Sequence, residues 1–112
     1  MVRVQEIGNE IVQDLRNLRL PSIHSINLDD WGSYTGGIVI HLDMERNVGK
    51  YWFKNHQRPL RTISAKVRGI LKRYENQGKI SGFYVDSPEA TYDPYGGYDG
   101  YENDYIMISY TI

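Results

Sequence analysis

The chain contains no cysteine, which excludes a disulfide framework, a thiolate metal site and a cysteine nucleophile. It has no apolar run near the ~20 residues that a membrane-crossing helix needs, so no membrane partner is expected. The opening stretch MVRVQEIGNEIVQDL carries acids where a secretory leader would have its uninterrupted apolar region, and a cytoplasmic location follows as an expectation. Beyond residue 81 the chain also has no Lys or Arg.

That last absence is the most informative. All 13 Lys and Arg lie in residues 1–81 against 8 Asp and Glu, a local net of +5, while residues 82–112 hold six acids and no base. The overall charge of −1 hides this segregation. Segregated charge speaks about partners and surface field rather than about fold.

What is present describes a folded protein. A length of 112 residues allows one hydrophobic core, and 40% hydrophobic with 24% charged residues is a globular composition. We therefore expect a single α+β domain over residues 1–112. Val4, Ile7, Ile11, Leu15 and Leu18, widened by Val12, recur at spacings of three and four, which is one face of an amphipathic helix. Leu20-Pro21 should end it, because proline disfavours helical geometry in the residue before it. Residues 22–31 alternate, with His24, Ile26 and Leu28 on one side. Ile38, Ile40, Leu42 and Met44 alternate again after WGSYTGG, with Val39 and His41 on the other face. Two such runs joined by a glycine-containing turn predict a hairpin.

Tyr51-Trp52-Phe53 reads as a short strand or an extended lead-in. Pro59 suits the first turn of a second helix, whose buried stripe is Leu60, Ile63, Val67, Ile70, Leu71 and Tyr74, with Gly78 just past its end. Residues 80–86 and 105–112 read as strands, the latter with Ile106, Ile108, Tyr110 and Ile112 on one face. The intervening loop, about 87–104, is too polar and glycine-rich for a regular element. The order is αββαββ. A four-stranded antiparallel sheet with both helices on one face satisfies it, and a ferredoxin-like domain permuted so that its first strand comes last would have this order. Such a fold implies no activity. Two exposed sheet edges would allow a homodimer.

A search for catalytic chemistry finds little. His24, His41 and His56 stand outside HxxxH or HExxH spacing. His24 and His41 fall in strands expected to pair, and with Asp29-Asp30 they define a third reading, a metal-dependent hydrolase. Neither WGSYTGG nor YGGYDG opens a helix with phosphate-cradling spacing, and no GxSxG element is present. No catalytic residue and no cofactor are assigned, and a non-enzymatic protein is expected.

Two charged features remain. Arg61, Arg68, Lys72 and Lys79 share the face of the second helix opposite its apolar stripe. Cations at that spacing can follow a phosphate backbone, so nucleic-acid binding is the alternative reading; the ordinary one is a solvated helix face. The segment DSPEATYDPYGGYDGYENDY carries six acids and five tyrosines, four of them repeating every third residue from Tyr92 to Tyr101. Tyrosine offers a large contact area with a polar tip, and is favoured in binding surfaces. Tyr92, Asp93, Tyr95, Tyr98, Asp99, Tyr101, Glu102 and Asp104 are thus the expected partner-binding residues, meeting a basic surface of a host protein. This reading takes the acidic hairpin to stand apart from a positive body.

The helix–proline–strand–GG–strand run IVQDLRNLRLPSIHSINLDDWGSYTGGIVIHL resembles part of the large polyvalent protein-associated domains of phages and conjugative elements, and YGGYDGYENDY is similar to the FDG-type turn after their second helix. Pro21, Gly36-Gly37 and Asp99-Gly100 carry the likeness. It implies a small accessory protein of a mobile element, a class that includes anti-restriction and anti-CRISPR inhibitors. In such an inhibitor the carboxylates of residues 93–104 would imitate DNA phosphates on a nucleic-acid-binding effector.

Overall fold

In the computed structural model, α1 spans Arg3–Asn17, β1 Ile23–Trp31, β2 Thr35–Leu42, α2 Lys50–Asn76, β3 Gly82–Asp86, β4 Ala90–Tyr92, β5 Tyr98–Tyr101 and β6 Tyr105–Thr111. The structure describes residues 3–20, 23–42, 50–88, 90–92, 94–95, 98–101 and 104–112; for 30, 50–60, 90–92 and 98–101 only the backbone is described. Met44 and the turn at Asn47-Val48-Gly49 lie outside these residues, as does the side chain of His56.

Four strands form one antiparallel sheet in the order β1-β2-β6-β3. Val4, Ile7, Ile11 and Leu15 of α1 and Ile63, Val67, Leu71 and Tyr74 of α2 share one core with Ile26, Ile38, Ile40, Val85, Ile106, Ile108 and Tyr110 of the sheet. Both helices therefore cover one face. Each fully buried aliphatic side chain contributes roughly 1.5–3 kcal/mol by leaving water, which is why the apolar periodicity determined which side of each element faces inward. Gly36 and Gly8 are special: a Cβ on either would meet Tyr110, whose ring passes between the first helix and the second strand.

The ends of the helices follow local rules. Beyond α2 the Gly78 amide donates to the Glu75 carbonyl and the Lys79 amide to that of Tyr74, both at 3.0 Å. Gly78 has φ +74°, and this pair of bonds is the glycine-terminated cap the sequence anticipates. The first helix ends on Arg19 at φ 50°, a conformation a non-glycine residue enters at a cost. Leu18 lies just past that helix and is 36% exposed, so it drops out of the buried stripe.

Three other expectations are corrected. Residues 51–53 are helical, in the first turn of α2, which begins at Lys50; Pro59 thus stands inside the helix rather than in its first turn. The segment 87–104 is not structureless, since β4 and β5 pair as an antiparallel ribbon. His24 does not share the inner side with Ile26 and Leu28: the β1–β2 register shifts between Ile23 and Ser25, and the extra residue leaves His24 exposed. A second shift falls between Leu28 and Asp30. Two irregularities on an edge strand oppose sheet-to-sheet pairing along β1.

Candidate partner-binding surface

The face of the sheet turned away from the helices is uncovered by any other element described. Strand alternation and register arrange it in rows: Asn27, Val39, Met107 and Asp86 in one; Ser25, His41 and Tyr105 in the next; Gly37, Ser109 and Tyr84 in another. Val39, in the middle of a central strand, is buried by its neighbours. His41 and Tyr105 meet edge to face with ring centroids 6.3 Å apart. Tyr84 is 66% exposed. Asp86 belongs to this face and Asp29 lines its edge with Gly37, Met107 and Ser109; both acids are exposed. Among the described residues this face carries no Lys or Arg.

Of the tyrosine-rich segment, Tyr92 belongs to β4, and Tyr98, Asp99 and Tyr101 to β5. The ribbon pairs Ala90 with Tyr101 and Tyr92 with Tyr98, and the register shifts beside Asp99. Tyr95 sits in the connecting turn at 97% exposure. Asp104 leads into β6, its carbonyl accepting the Leu42 amide at 2.8 Å. Asp93 and Glu102 lie outside the described residues. The ribbon is not a detached arm, as the sequence suggested: β5 packs beside α2, and the Ser64 and Ser87 hydroxyls, 2.7 Å apart, tie its approach to the same helix. Of the six acids in residues 86–104, Asp86 and Asp104 have described side chains, and both are exposed. Alternating side chains of residues 82–86 were the signal that could have identified Tyr84 and Asp86 as outward-facing.

The expected basic line is divided, and its last member, Lys79, lies beyond α2, which ends at Asn76. Lys72 pairs with Glu75 at 2.6 Å, and Lys79 approaches Glu10 at 3.7 Å and lies 5.2 Å from the Tyr74 ring centroid. Arg73 pairs with Asp14 at 3.0 Å. Arg61, Lys66 and Arg68 are exposed and have no ion-pair partner among the described residues. Hence two of the four expected contact cations, Arg61 and Arg68, remain unengaged, and acids of α1 offset part of the rest. Exposed pairs of this kind contribute about 0–1 kcal/mol each.

Asp14 also accepts the Tyr74 hydroxyl at 2.6 Å. Burial, reinforced by that bond and by the Asp14 and Glu10 charges, pushes the Tyr74 phenol well above the usual range, against a smaller opposing effect of Arg73. Burial alone pushes Tyr110 up to about 12. Both groups are neutral at ordinary pH and act as structural donors.

The metal reading gains no geometric support. His41 faces the open side beside Tyr105 while His24 sits at the bulge, and no group of three His, Cys, Asp or Glu able to hold a metal occurs among the described residues. Nor is any described helix long and apolar enough to cross a membrane. No family model matches the chain, and no curated protein or solved structure matches it. The functional reading therefore rests on this geometry.

Proposed function

We propose that the chain is a non-enzymatic binding protein that docks an acidic, tyrosine-bearing surface on a basic surface of a partner protein. The observation that carries this reading is the composition of the open sheet face: Tyr84, Tyr105 and Asp86 stand on it and Asp29 lines its edge, with no Lys or Arg among the described residues. Arg61, Lys66 and Arg68, exposed and without an ion-pair partner among the described residues, stand on α2, in the opposite layer. Complementary potentials steer encounter and reject wrong partners, while tyrosine supplies contact area at low entropic cost. A nucleic-acid groove is the commonest strongly basic protein surface, so an inhibitor of a nucleic-acid-handling effector, of the anti-CRISPR kind, is the biological form we favour. We further read the α+β fold as a permuted ferredoxin-like domain, a relationship that adds nothing about activity.

The test is a salt titration of partner binding by the wild type and by a variant with Asp86, Asp93, Asp99 and Asp104 all changed to Asn. The variant should lose at least about tenfold in affinity, about 1.4 kcal/mol, and bind with a flatter salt dependence. Equal affinity and equal salt slope for the two would overturn the reading.

A second reading, nucleic-acid binding along α2, is favoured by the exposure of Arg61, Lys66 and Arg68, which have no ion-pair partner among the described residues. It requires a salt-steep gel shift that Arg61→Glu with Arg68→Glu abolishes; no shift at low salt removes it.

A further inference from the structure

A shallow depression of about 470 Å³ opens at one end of the uncovered sheet face, lined by Asp29, Trp31, Gly32, Thr35, Gly36, Gly37, Met107 and Ser109. Its volume falls within the roughly 300–1,000 Å³ of binding clefts. We propose that it receives an arginine side chain of the partner protein, an inference that rests on the acidic-surface reading above and specifies one contact within it.

Three kinds of group meet there. Asp29 supplies a carboxylate, exposed and without an ion-pair partner among the described residues. It stands at the second irregularity of β1, between Leu28 and Asp30, and an extra residue of this kind re-aims a side chain out of the regular pleat. Trp31 supplies an indole that is 46% exposed, and Met107 adds a polarisable wall. Gly37, in the outward row with Ser109, has no side chain, so a flat group can approach the sheet closely there. A carboxylate beside an indole matches a guanidinium, which forks onto the one and stacks on the other. A lysine ammonium is a compact, strongly hydrated point charge and uses this pairing less well.

Two other hollows among the described residues differ in this respect. One is lined by Arg16 and Arg19, and Arg16 already donates to the Ile26 carbonyl at 2.6 Å. Another, lined by Arg3, Glu6, Glu10 and Lys79, holds charges of both signs, with Glu10 facing Lys79. Of these three, the depression at Trp31 is the one that joins an acid without an ion-pair partner among the described residues to an aromatic residue, with no cation in its lining.

The experiment is a heteronuclear NMR titration of the full chain with a hexa-arginine peptide, repeated with hexa-lysine, using the wild type, Asp29→Asn and Trp31→Ala. Both substituted positions are exposed, and amide dispersion verifies that each variant is folded. The expected result is movement of the Trp31 indole N–H and of the Gly36 and Gly37 amides, tighter binding of hexa-arginine than hexa-lysine, and a loss of at least about tenfold in each variant. Hexa-arginine binding that moves only resonances of residues 84–105, with both variants at wild-type affinity, overturns the arginine site and leaves the acidic surface standing. No binding of either peptide at low salt overturns both.

Discussion

Tyr110, near the end of β6, donates its hydroxyl hydrogen to the main-chain carbonyl of Val4, in the first turn of α1, at 2.6 Å and out of contact with solvent. The bond ties together residues 106 positions apart. It can form because a helical carbonyl keeps a lone pair for a second donor, and because Gly8 and Gly36 leave room for the ring.

Removing the hydroxyl with Tyr110→Phe should cost about 1 kcal/mol, the net value of one buried hydrogen bond. Gly36→Ala should cost more, about 1–3 kcal/mol, since its new methyl would overlap the ring rather than lose one bond. Gly8→Ala should behave similarly, as its methyl would meet Tyr110 and Leu28. Urea unfolding measures all three; a stable Gly36→Ala protein would contradict the close approach.

Alkaline pH probes the same buried phenols. An unfolded tyrosine titrates at about 10, and both Tyr74 and Tyr110 are raised above that in the fold, by burial first. Folding thus favours their neutral forms, and their contribution is complete below about pH 10 and lost as pH rises from there through the folded values. The urea midpoint should be steady up to about pH 9, fall above about pH 10, and fall less in a Tyr74→Phe/Tyr110→Phe variant. Identical alkaline profiles for the two proteins would remove this assignment.

Arg19 holds a left-handed backbone conformation without being glycine. Arg19→Gly should relieve strain of about 1 kcal/mol, reduced by the extra freedom glycine gives the unfolded chain. A small rise in melting temperature is expected. A fall would mean that the arginine side chain contributes more than its backbone costs.

Tyr84 separates stability from binding. Because it is exposed on the open face, Tyr84→Ala should change stability by no more than about 0.5 kcal/mol. As an aromatic anchor it should nevertheless cost about 2 kcal/mol of partner affinity, read by calorimetric titration beside a melting curve. Unaltered affinity would place the contact elsewhere.

Residues such as Ile11, Ile40, Val67 and Ile108 announced their inward positions in the chain itself, because burial of apolar surface acts through spacings of two or of three to four. Gly78 likewise foretold the end of α2, because a left-handed cap is a local requirement. Residues 51–53 were misread: aromatic clustering suits a strand, and a preference over three residues is weak beside the helix that continues into them. The ribbon within 87–104 was hidden because two short polar strands have little apolar periodicity to show.

Sequence alone determined the α+β class, the inward face of most elements and the separation of acids from bases along the chain. Only the tertiary structure decided where those charges stand. Register brought Asp86 of β3 beside Met107 of β6, the irregularities of β1 set Asp29 and His24 out of the pleat, and helix packing occupied Arg73 and Lys79 with acids of α1. Such pairings join residues far apart in the chain, so no local spacing could encode them.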